Sequence, residues 1–193
     1  MKKLLQITLA QFVLLVVSSS AYSQALVSDT LFGNNGQIFS APYPSSNSST
    51  SSEILRQSDD KLLLCGYIYD INCNCNYNVM FRTDCSGAID SSFGVNGLVQ
   101  HTFDQRNAGI DYELQPDGKI LVAGTQADGN ASSQQFPSIS RYNIDGSVDS
   151  SFGVAGTNKV TLFTGAASFY SLFLQPDGKI LCSGQVGRSN HLL

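Results

Sequence analysis

The feature that most constrains the fold is a repeat of about 60 residues, carried by two short elements. The first is an Asp-x-x-Phe-Gly corner with another glycine three residues later, found at Asp29–Gly33, Asp90–Gly94 and Asp149–Gly153. The second reads Gln-x-Asp-x-Lys before an apolar run, found at 57–66, 115–124 and 175–184. Because two independent elements share one period, the chain is a repeat protein.

Each repeat predicts four short strands. A third element, Arg82–Gly87 and Arg141–Gly146, completes the unit. Asp117-Gly118 lies between apolar runs and predicts a tight hairpin, because glycine accepts the positive φ of such turns. The continuous apolar run 120–123 predicts an inner strand covered on both faces, whereas 110–114 alternates and predicts a half-exposed strand.

Four antiparallel strands in every unit of about 60 residues predict an all-β fold of β-propeller-type blades. A string of β-sandwich modules is the alternative, but such modules usually need about 100 residues each. The units are approximately 29–90, 90–149 and 149–193, and the last is partial, so we expect an incomplete set of under three blades. Since a closed propeller needs at least about four blades, we expect a fragment of a larger propeller or self-association through open blade edges.

The first residues predict export. Residues 1–23 resemble a signal peptide, with a basic start, an apolar run over 4–17 and small residues at Ala21 and Ser23. The apolar run is shorter than the roughly 20 residues of a membrane-spanning helix. We therefore expect cleavage, residues 24–193 as the repeat region without a stable membrane span, and a secreted or cell-surface protein, with the periplasm as a further location.

The charge and composition limit the classes of partner that the chain is expected to bind. The net charge is −4 and becomes more negative when the two lysines of the leader are removed. Nucleic acid and anionic lipid need a basic surface, so neither is expected as a partner. Only 13% of the residues are charged, which is typical of short strands joined by turns.

Leu114–Gly124 followed by Arg141–Gly153 resembles the delta-60 repeat family, and the resemblance covers about residues 29–184. It implies a bacterial, typically secreted, propeller-like protein with no established enzymatic activity. The first unit departs from the family pattern. Asp59-Asp60 replaces the Asp-Gly turn, and a serine-rich loop at Ser45–Ser52 is expected to lengthen the first hairpin.

Repeated aspartates and phenylalanines are the first candidate site residues. The aspartates lack the Asp-x-Asp-x-Asp-Gly spacing of a calcium loop, so we expect each to accept hydrogen bonds from its own turn. One phenylalanine at the same corner of every unit predicts an anchor in the core and not a ring of ligand contacts. The residues are Asp90, Asp117, Asp145, Asp149, Asp177, Phe32, Phe93 and Phe152.

Five cysteines, Cys65, Cys73, Cys75, Cys85 and Cys182, are accompanied by only two histidines, His101 and His191. Cys73 and Cys75 are closer together than paired zinc ligands usually are, so no metal site is expected. Export permits disulfides, and a bridge from Cys73 or Cys75 stays open. The other three cysteines take positions that are apolar in other units, which predicts small buried side chains.

The sequence contains no nucleophile elbow, zinc-binding helix or phosphate-binding glycine loop. We therefore expect a non-catalytic scaffold or binding module without cofactor, with an unknown protein or glycan ligand. Its variable loops, Asp70–Asn76 and Asp128–Gln135, are expected to carry recognition. The alternatives are the N-terminal part of a larger exported enzyme or adhesin with its functional region beyond residue 193, and a short protein that oligomerises.

Overall fold

The computed structural model describes residues 4–8, 13–17, 29–38, 48–70, 75–101, 109–127, 135–162 and 167–187. Every regular element in these segments is a β-strand, and every pair of neighbouring strands is antiparallel. Over the same segments, no helix is long and apolar enough to cross a membrane. The predicted all-β fold is confirmed.

Two four-stranded sheets form complete blades. Blade 1 contains β3 (Ser48–Arg56), β4 (Leu62–Asp70), β5 (Cys75–Thr83) and β6 (Leu98–His101). Blade 2 contains β7 (Gly109–Leu114), β8 (Ile120–Ala127), β9 (Gln135–Tyr142) and β10 (Thr157–Lys159). In both blades each strand pairs with the next one in sequence, as the repeat predicts.

Two further sheets have two strands each. A half-blade pairs β11 (Ala167–Leu174) with β12 (Ile180–Val186), so the described segments hold two blades and half of a third. Within the predicted leader, β1 (Leu4–Thr8) pairs with β2 (Val13–Val17). That pairing does not test cleavage, and the signal peptide stays a prediction.

The boundaries of the sequence repeat do not coincide with the boundaries of the sheets. The corner at Asp90–Gly97 lies between β5 and β6, inside blade 1, and it contacts blade 2 through a bond from the Gly94 N–H to the Asp145 carbonyl (2.8 Å). Residues 29–38, here called the N-terminal corner, dock on blade 1 in the same way, because the Gly33 N–H donates to the Ser86 carbonyl (2.7 Å). The N-terminal corner therefore stands where the outer part of a preceding blade would stand.

The core consists of apolar layers between successive sheets. Leu63 belongs to a cluster that joins blade 1 to blade 2, while its neighbour Leu64 belongs to a cluster with Phe32 of the N-terminal corner. In blade 2, Leu121 likewise packs towards Leu172 of the half-blade. Adjacent residues of the second strand thus face two different neighbours, which explains the continuous apolar runs.

The first unit differs from the family pattern in a serine-rich segment and in its first hairpin turn, and the structure retains the turn but contradicts the prediction for most of the segment. The expected loop at Ser45–Ser52 is wrong for Ser48–Ser52, which belong to β3. Residues 48–51 pair with the far half of β4, and Ser52 lies at a shift in strand register. That pairing gives the backbone groups of the long β4 strand their partners. The replaced Asp-Gly turn keeps its geometry, because Asp60 adopts a φ of 66° and its N–H bonds the Gln57 carbonyl at 3.1 Å.

Candidate functional site

The corner aspartate of blade 1 joins three parts of the blade. Asp90 Oδ1 accepts hydrogen bonds from the backbone N–H of Ser92 (3.0 Å) and from its hydroxyl (2.6 Å). Asp90 Oδ2 accepts one from Arg82 Nε (2.9 Å) and pairs with Lys61 Nζ (3.2 Å). We call this arrangement the Lys–Asp–Arg clamp, since it ties the corner to the first hairpin turn and to the third strand.

Blade 2 repeats the clamp atom for atom. Asp149 Oδ1 accepts from the Ser151 N–H (3.1 Å) and hydroxyl (2.6 Å), and Oδ2 accepts from Arg141 Nε (2.7 Å) and Lys119 Nζ (2.9 Å). The serine hydroxyl, followed by the cations, holds the pKa of both clamp carboxyls far below the ordinary value. A carboxylate with such a pKa and both oxygens occupied is a poor proton acceptor, so the clamp is structural.

In blades 1 and 2 the corner phenylalanine packs against the clamp arginine of the same blade. The guanidinium carbon lies 4.7 Å from the ring centroid in the pair Arg82–Phe93 and 4.5 Å in the pair Arg141–Phe152. Phe32 and Phe93 are buried in the core clusters, and Phe152 is half-buried against the third. The predicted role of these rings as anchors is confirmed.

The remaining repeated aspartates cap their own turns, as expected. Asp145 Oδ1 accepts from the Ser147 N–H (2.9 Å), while Asp117 and Asp177 accept from the N–H of the lysine two residues later (3.2 Å each). Within the described part of the chain, no group of three or more histidine, cysteine, aspartate or glutamate side chains is placed to hold a metal ion.

Two equivalent open clefts lie at the sheet boundaries, and sequence reasoning missed them. One of about 410 Å³ separates the N-terminal corner from the 86–89 turn, and one of about 420 Å³ separates the corner of blade 1 from the 145–148 turn. Each has a positive-φ glycine at its base, Gly87 or Gly146. A Cβ atom at Gly146 would lie 2.5 Å from Val99 Cγ2. The glycine that recurs in this turn of both units was the sequence signal that could have indicated the clefts.

Carboxylates of the first strand of each blade bond to the next sheet along the chain. Glu53 Oε2 accepts a hydrogen bond from the Tyr112 N–H in blade 2 (3.0 Å), and Asp111 Oδ2 accepts one from the Leu172 N–H in the half-blade (2.5 Å). Both acids directly follow a break in strand register. Burial, and secondarily the nearby Asp111, raises the pKa of the Glu53 carboxyl to about 7.

The cysteine predictions are only partly confirmed. Cys65 is fully buried, and burial raises the pKa of its thiol. Cys182 is half-buried with a pKa near 11, again through burial. The expectation for Cys85 is wrong, since the turn after β5 exposes this side chain. The predictions for Cys73 and for the Cys75 side chain lie outside the described residues.

The predicted recognition loops leave the blades at one common end. The predicted bounds, Asp70–Asn76 and Asp128–Gln135, are wrong at their ends, because Asp70 belongs to β4, Cys75 and Asn76 to β5, and Gln135 to β9. The remaining segments, 71–74 and 128–134, join the second strand to the third in each blade and lie outside the described residues. Because the strands alternate in direction, this loop end is opposite the turn end, which holds the first hairpin turns and the corners. At the loop end, the connections between the second and third strands differ in length between the two blades. At the turn end, both blades have the same clamp.

Comparison with known proteins supports a propeller-like repeat. The family described as "Domain of unknown function (DUF5122) beta-propeller" matches residues 115–152. That match runs from the first hairpin turn of blade 2 to its corner phenylalanine, so it contains the complete Lys–Asp–Arg clamp of that blade. No curated protein and no solved structure matches the chain.

Proposed function

We propose that this chain acts outside the cytoplasm as a non-catalytic repeat scaffold or binding module, with a protein or glycan ligand at its loop end. One observation carries the proposal. The turn ends of blades 1 and 2 have the same clamp, atom for atom, whereas the connections 71–74 and 128–134 at the loop end differ in length and sequence. A constant frame that presents variable loops is suited to recognition.

The chemistry of the turn end supports a non-catalytic role. Its most repeated acids, Asp90 and Asp149, are engaged by a lysine, an arginine and a serine each. A general base needs a free lone pair and a pKa near the working pH, and these carboxylates offer neither. Their repetition is explained by blade structure without any reaction.

We further propose membership of the delta-60 repeat family and export from a bacterial cell, to the medium, the cell surface or the periplasm. The resemblance and residues 1–23 support both points. Expression in a bacterium followed by N-terminal sequencing of the exported protein tests the leader, and Gln24 is the expected first residue. An Ala21→Arg variant should stay unprocessed, and a wild-type protein that retains Met1 or Lys2 would contradict the proposal.

Recognition at the loop end is tested with defined probes. The purified chain is applied to a printed array of polysaccharides and to a phage-displayed peptide library. Variants in which 71–74 or 128–134 is replaced by glycine and serine of equal length are compared with Asp117→Asn, a matched change at the turn end. Loss of binding in the loop variants alone is expected.

Three results would overturn this function. They are an absence of binding to either probe set, binding that depends on Asp117 and not on the loops, and release of p-nitrophenol from chromogenic glycosides or esters in a loop-dependent manner. The last result would make the chain an enzyme.

A further inference from the structure

Two carboxyl groups from different blades accept hydrogen bonds from one backbone N–H. The Tyr112 N–H donates to Glu53 Oε2 of blade 1 (3.0 Å) and to Asp111 Oδ1 of blade 2 (3.1 Å). The Glu53 and Asp111 side chains also form a hydrogen bond with each other. Because an ionised carboxylate only accepts hydrogen bonds, a bond between two carboxyl groups requires one of them to be protonated. The first strands of blades 1 and 2 therefore meet at a pair of acids with one proton between them.

Tyr112 joins the two blades through its side chain as well as through its backbone. The side chain is 1% exposed and packs in the cluster that contains Leu63 and Cys65 of blade 1. Its hydroxyl donates to the Gly66 carbonyl at 3.1 Å. The two acids thus bond the backbone of the residue that blade 2 packs against blade 1, so a change in their charge acts directly on this contact.

Among the described residues, the titratable groups that face the pair from the neighbouring strands are acids and thiols. Glu53 interacts with the Asp111 and Glu113 carboxyls of β7. It also interacts with the Cys65 thiol, its partner in the register of β4, and Asp111 interacts with the Cys182 thiol of β12. Burial, followed by the nearby acids, raises the pKa of the Glu53 carboxyl to about 7. Two ionised carboxylates at this site repel each other, and none of these groups is a cation that could compensate.

The boundary between blade 2 and the half-blade has the same kind of bond without a second acid. Asp111 Oδ2 accepts a hydrogen bond from the Leu172 N–H of the half-blade (2.5 Å). Glu53, Asp111 and Ser171 each follow a break in strand register, so they are equivalent residues of the three first strands. A serine hydroxyl does not ionise near neutral pH. Of these two boundaries, only the one between blades 1 and 2 has a pair of carboxyl groups.

We propose that Glu53 and Asp111 form a latch between blades 1 and 2 that one proton keeps closed. While the proton is present, one carboxyl group donates to the other and both stay beside the Tyr112 N–H. When the proton passes to water, the two carboxylates repel each other, Glu53 turns away from blade 2, and the contact between β3 and β7 loosens. The latch is a conformational device that responds to pH near neutrality.

The opening is confined to the first strands of the two blades. At the corner of blade 1, Arg82 Nη1 donates to the Ile144 carbonyl (2.7 Å) and the Gly94 N–H donates to the Asp145 carbonyl (2.8 Å). An arginine side chain stays protonated in proteins, and backbone groups do not titrate. These two bonds therefore hold the corner of blade 1 on blade 2 whether the latch is closed or open.

Amide hydrogen exchange of the full chain, followed by NMR, tests the inference at the Tyr112 N–H itself. The closed form is fully favoured below the ordinary pKa of 4.5 and is lost as the pH rises through 7. After correction for the intrinsic pH dependence of exchange, we expect the protection of the Tyr112 amide to fall about tenfold between pH 5 and pH 8. The Leu172 amide, which is bonded to a single carboxylate, should show no such fall.

Urea separates opening of the latch from unfolding of the whole chain. Opening of the latch exposes little surface, so about 1 M urea should leave the protection of the Tyr112 amide unchanged. The same urea should lower the protection of the Leu121 amide, because this residue of the central strand β8 is fully buried and exchanges through global unfolding.

Substitutions that remove one charge and keep an acceptor oxygen make the test specific. Glu53→Gln is expected to abolish the fall in protection at Tyr112. Asp111→Asn should reduce it to about threefold, because the Glu53 carboxylate then has no charge beside it to repel it. The double variant should behave like Glu53→Gln. Glu113→Gln, which removes a neighbouring acid outside the pair, should retain most of the fall. If Glu53→Gln does not fold, Asp111→Asn decides.

The inference is overturned if the Tyr112 amide keeps its protection from pH 5 to pH 8, or if Glu53→Gln shows the same fall as wild type. An undiminished fall in Asp111→Asn would show that Glu53 titrates alone and that no proton is shared, which also overturns it. The same holds if urea lowers the protection of Tyr112 and Leu121 in parallel, since the pH dependence then belongs to global unfolding. A fall of equal size at Leu172 would place the response outside the pair.

Discussion

Asp60 shows how one residue can keep a turn that its neighbours form with glycine. Its φ of 66° matches the left-handed conformation of Gly118 and Gly178 in the equivalent turns. A residue with a Cβ is strained in this conformation. The exposed ion pair between Asp60 and Arg56 compensates for little of that strain. Asp60→Gly is therefore expected to raise the free energy of unfolding by about 0.5–1 kcal/mol.

Urea denaturation checks this effect, with Gly178→Asp as the reverse substitution. A Cβ atom at Gly178 meets nothing within 4 Å, so only the backbone conformation should matter. A loss of similar size is expected from Gly178→Asp. An unchanged midpoint for Asp60→Gly would contradict the assigned strain.

Glu53 should make stability depend on pH near neutrality. Its pKa is raised to about 7 in the folded chain by burial, against an ordinary value of 4.5. The protonated form is thus favoured by folding, and its contribution is complete below pH 4.5 and lost as the pH rises through 7. Because the side chain is only partly buried, the loss is expected to be about 1–2 kcal/mol.

Glu53→Gln should make the free energy of unfolding depend less on pH between pH 4.5 and 7. The amide oxygen of the new side chain can still accept the hydrogen bond from the Tyr112 N–H. Thermal unfolding at several pH values measures this. Glu113→Gln is the comparison, since burial raises the pKa of that carboxyl in the same direction with less burial, so a smaller change is expected. If the stability of wild type and of Glu53→Gln depends on pH in the same way, Glu53 is not the group that causes the dependence.

At the scale of the strand and turn, the Lys–Asp–Arg clamp fixes the corner of each blade. Asp149→Asn keeps an oxygen for the Ser151 turn but removes the charge that pairs with Lys119 and Arg141. We expect the Tm to fall by about 5 °C or more. Asp177→Asn changes an exposed turn with one lysine partner and should have almost no effect.

The clamp also predicts behaviour in acid. Hydrogen bonding to Ser151, with the two cations, lowers the pKa of Asp149 in the folded chain. The stability it provides is present above the ordinary value of 3.8 and is lost as the pH falls through the lower folded value. Below pH 4, the Asp149→Asn curve should therefore be flatter than that of wild type. An equally steep curve would show that other groups control acid unfolding.

The sequence predicts the strands better than it predicts the contacts between them. Hairpins such as 115–119 are local, so the Asp-Gly signal and the apolar runs suffice. The clamp residues Lys119, Arg141 and Asp149 all recur with the period, yet their pairing depends on a turn that brings Arg141 and Asp149 together across eight residues. The sheet-boundary clefts and the Glu53 bond to Tyr112 depend on the stacking of blades, which the recurring turn glycine alone does not predict. Cys85 is a different case, because its position in the turn after β5 exposes its side chain.

At the scale of the whole molecule, the described sheets pack in chain order, the N-terminal corner on blade 1, blade 1 on blade 2 and blade 2 on the half-blade, so stability should vary along the chain. Leu63 and Leu121 are fully buried in blades 1 and 2, whereas Leu181, at the equivalent position of the half-blade, is 51% exposed. Leu172 is the buried side chain that the half-blade contributes to its cluster with blade 2, and Phe169, Leu174, Ile180 and Cys182 pack partly buried against that cluster. Amide hydrogen exchange should therefore be fastest in β12, slower in β8, and slow in β4.

Leu172→Ala should release the half-blade without unfolding the rest. Removal of a buried leucine side chain costs about 2–5 kcal/mol, and here the loss falls on the contact between blade 2 and the half-blade. Exchange over 167–174 and 180–186 is expected to accelerate at least tenfold, while exchange over 62–70 stays unchanged. Phe173→Ala, at a side chain 58% exposed, is the matched control and should change neither. If Leu172→Ala accelerates β4 and β12 equally, the chain unfolds as one cooperative unit, and the nearest-neighbour description of the stack is wrong.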